Sequence, residues 1–460
     1  MGNHTGNRGG KHLWRRVWII LACLWIVAAS LGPDIPLGEG LLKLRPEDTL
    51  TVLMSGLALL KLLTGRVRRN TMDVLFRIVL FALGLGIIAT LSLLLQTSSG
   101  GNVRIEEGTF GFGQQQELLK EIIRFGKYIV VAVAFSQVPR QAWKAVLTVL
   151  MASSLIMIGI QVIQYLAAER INPWLADFYA SGSPHASWVY SEGWAKEAGQ
   201  FRAGSVMNNA NVFGAYLIAP FFLFAMLFFE SLNVTSKEIR RSRFLWLAMS
   251  GIVWLGIFLT QSRAALVAIL FGAMVSILSI PRSFRPHLNR VSAWVIVGAV
   301  ITFSMFASTT YRYSIEGLSR GITEESLPIK LGLTFLAVRE LGPLIVVGAG
   351  PAGAMMVDTE LGYLVTWYGL MGLMLYFVFY HSLYRLISGR IQNVYLRSAF
   401  RGILAAYLVG AVGNSFLLNN RVFPVFIALL TVACAEIVRR EMPFKFTLQT
   451  RMADVHGIEA

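Results

Sequence analysis

The chain has 460 residues, of which 55% are hydrophobic and only 14% charged, and its mean hydropathy is +0.60. Apolar runs of bilayer length recur from end to end, which excludes a set of soluble domains and predicts one helical membrane bundle. A net charge of +16 would suggest nucleic acid in a soluble domain; in a membrane protein the basic loop residues first report topology, and no nucleic-acid partner is expected.

Residues 1–16 are polar and basic, and the apolar run 17–31 resembles a signal peptide. With so many spans downstream it reads as an uncleaved first helix. The second and third spans cover 49–65 and 74–96. The fourth, 118–135, carries Lys120, Glu121, Arg124 and Lys127, charges that are costly at such depth unless they snorkel, pair or line a wet cavity. A fifth span at 143–166 leads into a sizeable polar stretch, 167–208, which contains His185 and Arg202. After the sixth span, 209–229, spans seven and eight (244–259 and 264–280) are joined by the short turn TQSR, which holds Arg263 at the membrane face. The ninth span, 291–307, opens onto the longest stretch between spans, 308–362, rich in Arg and Glu. Spans ten to twelve cover 363–384, 403–418 and 422–437, ahead of a basic tail. Cys23 and Cys434 fall inside predicted spans, so neither a disulfide framework nor a metal site is expected.

Such a walk predicts an all-α polytopic membrane protein of about 12 transmembrane helices forming a single membrane domain over 1–460. Both termini and most basic loops fall on one side, cytoplasmic by the positive-inside rule. The two larger loops, 167–208 and 308–362, then face the periplasm if the membrane is the inner membrane of a Gram-negative bacterium. The longer of them joins helices nine and ten.

One motif invites a misreading. GAGPAG at 348–353 follows the apolar run LIVV and matches G-x-G-x-x-G. That fingerprint needs a βαβ unit and an acidic residue about 20 positions on. Here that register falls inside span ten, so a tight turn aiming the chain at span ten is expected instead. No nucleotide cofactor, and no other cofactor, is expected.

The outward arginines are more informative. Arg202, Arg263 and Arg339, with Arg312 and Arg320 elsewhere in the long loop, oppose the topology bias. Guanidinium groups bind phosphate oxygens bidentately, which suits a lipid diphosphate. The plainer alternative is anchoring to phospholipid headgroups or pairing with Glu316, Glu324, Glu325 and Glu340. Asp358 and Glu360 stand just before span ten, where a carboxylate could act as general base on a sugar hydroxyl. Either could equally be an ordinary acid at a helix start. His185 is the sole outward histidine and a spare candidate for the base, otherwise a surface residue.

Taken in order, RAGSVMNNAN (202–211), TQSRAAL (260–266), GAG (348–350), Asp358 and the pair Gly369-x-x-Gly372 resemble the O-antigen ligase and polymerase superfamily. In the ligase branch a His-Asn pair precedes the Gly-x-x-Gly; counting back from Gly369 places Asp358 at the His position and Thr359 at the Asn position. An acid there is similar to the polymerase branch. The resemblance implies a metal-independent, inverting glycosyltransferase that extends polysaccharide on an undecaprenyl diphosphate carrier. Arg202, Arg263 and Arg339 would stabilise the diphosphate, assisted by Arg312 and Arg320. Asp358 would be the base, with Glu360 behind it. Membrane lipids and a polysaccharide co-polymerase that sets chain length are the implied partners. Two alternatives stay open: a ligase moving finished glycan to lipid A or another acceptor, and a flippase or exporter of lipid-linked oligosaccharide. The exporter would use Lys120, Arg124 and Lys127 to line a cavity.

Overall fold

The computed structural model describes residues 8–33, 35–37, 42–63, 72–98, 114–139, 141–179, 203–207, 209–233, 243–281, 327–351 and 359–435. Twelve α-helices lie among them: α1 (Arg8–Leu31), α2 (Pro46–Leu63), α3 (Met72–Ser98), α4 (Gln114–Ser136), α5 (Ala142–Tyr179) and α6 (Ala210–Asn233). The remainder are α7 (Arg243–Leu259), α8 (Arg263–Ser279), α9 (Leu327–Glu340), α10 (Glu360–Arg390), α11 (Val394–Gly410) and α12 (Val422–Ala435). Between α1 and α2 runs an antiparallel ribbon of two three-residue strands, β1 (Ile35–Leu37) and β2 (Leu42–Leu44), with Ile35 opposite Leu44.

Among the described residues five helical segments are long and apolar enough to cross a membrane: Leu13–Leu31, Met72–Leu95, Ala142–Tyr179, Ala210–Leu232 and Glu360–Arg390. Their outward faces are apolar; on α3, Phe76, Leu80, Leu83 and Ile87 are all exposed. A surface of this kind suits lipid, because only helices with internally satisfied backbones tolerate a hydrocarbon solvent. The fold is a polytopic helical bundle of membrane type.

A helix covers the predicted spans except the ninth, 291–307, which lies outside the described residues, and the second half of the eleventh, 403–418: α11 ends at Gly410 and the chain turns over 411–418. The loop boundaries differ from expectation. The stretch 167–208 begins as helix, because α5 bends at Ala167 (φ −147°, ψ 47°) and continues to Tyr179. Buried Asn172, Leu175 and Tyr179 hold that extension against the bundle. The stretch 308–362 contains α9 and a 3-10 turn, Gly342–Val346, and α10 already starts at Glu360.

Small residues let the helices approach. On α8 and α11 a Cβ added at Gly272 would lie 2.6 Å from the carbonyl oxygen of Gly402. Next to this contact the Ser276 hydroxyl donates to the Ser398 carbonyl at 2.9 Å. Such small-residue contacts replace the hydrophobic driving force that lipid removes.

Three charges of α4, Glu121, Arg124 and Lys127, are paired. Lys127 Nζ lies 2.6 Å from Asp48 and 3.2 Å from Glu47, both in the first turn of α2. Arg124 pairs with Glu121 and donates to the Tyr363 hydroxyl, and the Tyr368 hydroxyl donates to Glu121 at 3.2 Å. Among the outcomes that make such charges tolerable in a span, pairing is the one the fold uses for Arg124 and Lys127.

The element that shapes the molecule most is α10, which is broken at Gly369 (φ 65°, ψ −166°). The Tyr376 hydroxyl donates to Glu360 Oε1 at 2.6 Å. In a straight helix those two residues would stand about 24 Å apart, beyond the reach of their side chains. The segment is therefore a helical hairpin, with a short first leg ending at Tyr368 and a long second leg beginning at Leu370. A Cβ at Gly372 would fall 3.5 Å from the Leu364 carbonyl oxygen, so the second glycine of the Gly-x-x-Gly pair is where the legs meet.

The break frees backbone carbonyls, and the GAG turn takes them. Ala349 N–H donates to Thr366 O and Gly350 N–H to Trp367 O, each at 2.9 Å. Gly348 (φ 76°) and Gly369 sit back to back: a Cβ on Gly348 would lie 2.4 Å from the Trp367 carbonyl carbon, and one on Gly369 would lie 2.4 Å from that of Val346. Ser92 of α3 closes the joint by donating to Gly348 O at 2.7 Å. Residues 348–350 are thus a turn docked on a helix break, and only glycine fits either side of it.

Candidate active site

The widely separated motifs meet at the loop 411–421 between α11 and α12. Leu418 N–H donates to Glu360 Oε2 at 2.9 Å, while Leu361 N–H donates to Ala411 O at 3.3 Å, so this loop grips the start of the α10 hairpin. Tyr128 of α4 donates to Leu418 O at 2.7 Å. The start of α8 leans on the same loop: a Cβ at Gly413 would lie 3.1 Å from that of Ala264, the neighbour of Arg263. At the far end of the loop, buried Arg421 donates from Nη1 to Val206 O at 2.9 Å. Val206 belongs to the 3-10 turn Ser205–Met207, only a few residues beyond Arg202.

Each of these segments is built for its position. Ser205 is buried and bonded twice, its N–H to Gln164 Oε1 at 2.8 Å and its hydroxyl to Met157 O at 2.7 Å. Ser262 caps α8 by accepting from Ala265 N–H at 3.3 Å. Thr359 caps α10 by accepting from Gly362 N–H at 3.1 Å. The N-terminal ends of α8 and α10 therefore both border the loop 411–421, and the positive ends of their helix dipoles favour negative charge there.

Backbone strain marks the same places. Among the described residues two non-glycine positions have positive φ, Ser205 at 52° and Gln261 at 51°. One lies in RAGSVMNNAN and the other in TQSRAAL. Such conformations cost on the order of 1–3 kcal/mol and persist where the surroundings impose them, often at functional sites.

The expected site residues divide as follows. Glu360 is fully buried, with both carboxylate oxygens accepting hydrogen bonds from Tyr376 and Leu418. Arg263 is the first residue of α8 at the hub. Arg339 lies exposed in the last turn of α9, which packs on α10 and on the 3-10 turn beside it. Arg202, Arg312, Arg320, His185 and Asp358 lie outside the described residues; Thr359, the next residue after Asp358, is described. Among the described residues no group of His, Cys, Asp and Glu has the arrangement of a metal site.

Sequence reasoning missed Arg421, Tyr376 and the whole loop 411–421. The signal available was polarity: Asn414, Ser415, Asn419, Asn420 and Arg421 crowd the short interval between two strongly apolar runs. It also missed Tyr363 and Tyr368 as partners of the α4 charges.

Replacing Glu360 by glutamine is expected to destabilise the protein by about 1–3 kcal/mol, because the amide cannot accept at both oxygen positions and one buried donor loses its partner. Thermal unfolding of the detergent-solubilised variant measures this. An unchanged transition would contradict the anchoring role.

The chain matches no family profile and no curated protein.

Proposed function

We propose that the protein is a membrane glycosyltransferase that polymerises undecaprenyl-diphosphate-linked oligosaccharide repeats at the periplasmic face of the bacterial inner membrane. The observation that carries this reading is the convergence of three motif segments on the loop 411–421: the turn after Arg202, the start of α8 at Arg263, and the start of α10 next to Asp358. Strain at Ser205 and Gln261 supports it independently.

In the proposed step a sugar hydroxyl of one lipid-linked repeat attacks the anomeric carbon of the growing chain on its carrier. The bond to the diphosphate oxygen breaks and undecaprenyl diphosphate leaves. The hydroxyl proton passes to the Asp358 carboxylate. Arg202 and Arg263, together with the two helix N-termini, stabilise charge developing on the leaving diphosphate. Arg339, on the exposed α9, is assigned to the carrier's outer phosphate contacts with Arg312 and Arg320. Glu360 holds the hairpin start in place and thereby positions Asp358; His185 is kept as the spare base. No metal or cofactor enters the step.

The exporter alternative asks Lys120, Arg124 and Lys127 to line a central cavity; of these, Arg124 and Lys127 are engaged with Glu121, Glu47 and Asp48. The ligase alternative differs only in its acceptor. Purified Arg263→Ala supplied with lipid-linked repeats is expected to lose about 100-fold or more of its chain extension. Arg339→Ala is expected to fall with it. Wild-type ladders from both variants would overturn the site assignment, while products appearing only when lipid A is added would identify a ligase.

A further inference from the structure

The second leg of α10 carries an open apolar groove that the glycosyl-transfer reading does not use. It is formed by Leu370, Leu373, Met374, Phe377, Val378 and His381, spaced as one face of a helix. Its floor is exposed, with Leu370 at 51% and Met374 at 64% of full accessibility. From Leu370 to His381 it runs about 17 Å, close to the hydrocarbon depth of one leaflet, about 15 Å.

At its lower end the same face continues to Tyr384 and Ser388, and there the chemistry changes. Arg401 of α11 stacks over the Tyr384 ring at 5.0 Å and donates to the Ser388 hydroxyl at 2.8 Å. Arg397 stands one turn away on α11, a like-charge pairing that is unfavourable by itself. Arg385, next in sequence to Tyr384, is exposed. None of the ion pairs among the described residues involves Arg385, Arg397 or Arg401. The nearby carboxylates are otherwise engaged, Glu230 with Asn393 at 2.9 Å and Asp73 with Arg390. The Nε atoms of both Arg397 and Arg401 are buried without a hydrogen-bond partner, so the protein alone satisfies neither guanidinium.

We infer that this groove and arginine pair form a binding site for one anionic phospholipid, its phosphate on Arg397 and Arg401 and an acyl chain along Leu370–His381. An open apolar channel of one-leaflet length ending in uncompensated guanidinium groups fits an amphiphile with a phosphate head. Bidentate arginine contacts suit that head, and basic pockets at helix ends recruit anionic lipids in this way. The arginine end of the site, at Tyr384 and Ser388, lies at the far end of the second leg from Gly369, and none of its residues has a part in the glycosyl-transfer reading.

The test is native mass spectrometry of the full-length protein, delipidated in detergent and titrated with dioleoyl phosphatidylglycerol or dioleoyl phosphatidylcholine. Wild type is expected to retain one phosphatidylglycerol at least tenfold better than phosphatidylcholine. R397Q/R401Q is expected to lose that preference, and Val378→Trp, which fills the groove, to weaken retention of both lipids. An unchanged preference in R397Q/R401Q would overturn the assignment. Displacement of the lipid by millimolar inorganic phosphate alone would overturn the groove's part in it. Should the double variant not fold, phosphatidylglycerol with a photoreactive acyl chain decides on wild type. Adducts are expected within residues 370–381, whereas adducts confined to other helices, or cross-links there to a second copy, would contradict the site.

Discussion

Gly369→Ala is expected to prevent the α10 hairpin from closing. The new Cβ would stand 2.4 Å from the carbonyl carbon of Val346, on a residue with φ 65°. Both the clash and the left-handed backbone act together, and neither neighbour is a flexible side-chain tip. A cost of more than about 3 kcal/mol follows, in the range that identifies a specific structural failure. Because the hairpin is bonded to the GAG turn at its break and to the loop 411–421 at its start, its loss should disorganise the site as well as the fold. Fluorescence-detected size exclusion and thermal unfolding would register this as aggregation or a strongly lowered transition. Wild-type behaviour would contradict the back-to-back packing of Gly348 and Gly369.

Asp358→Asn is expected to leave folding intact and remove activity. The residue precedes the capping Thr359, and Glu360, Tyr376 and Leu418 anchor the hairpin start that follows it. An asparagine there keeps the shape but cannot accept the hydroxyl proton. A general base contributes typically 10²–10⁴-fold, so chain extension should fall by at least about 100-fold at an unchanged unfolding transition. Glu360→Gln should show the reverse pattern, with stability lowered first. That contrast separates the acid proposed to react from the acid that holds the chain.

Much of the bundle was readable in advance because bilayer thickness imposes a length and an apolar composition on every span. The charges of α4 were readable as a problem, but their solution was not. Glu121 and Arg124 lie one helical turn apart, yet Tyr363 and Tyr368 reach them from far along the chain, and no local pattern encodes that meeting. The glycine pair at 369 and 372 was visible as a motif, whereas its use as a hairpin depended on a carbonyl of Val346 and a hydroxyl of Tyr376. The GAG segment was readable as a turn because a βαβ unit had no room. The loop 411–421 was overlooked for a different reason: residues 411–418 continue the apolar run of α11 and read as the end of span eleven, 403–418. Its importance comes from its contacts with α4, α8, α10 and the 205–207 turn, which are tertiary.

The most direct test uses the purified protein in vesicles with a single synthetic undecaprenyl-diphosphate-linked repeat unit and no other acceptor, the products being resolved by gel electrophoresis. Wild type is predicted to produce a ladder of lengthened glycans on the lipid carrier, and Asp358→Asn none. Movement of the lipid-linked repeat across the vesicle membrane with no lengthening, or a ladder of equal intensity from Asp358→Asn, would contradict the account.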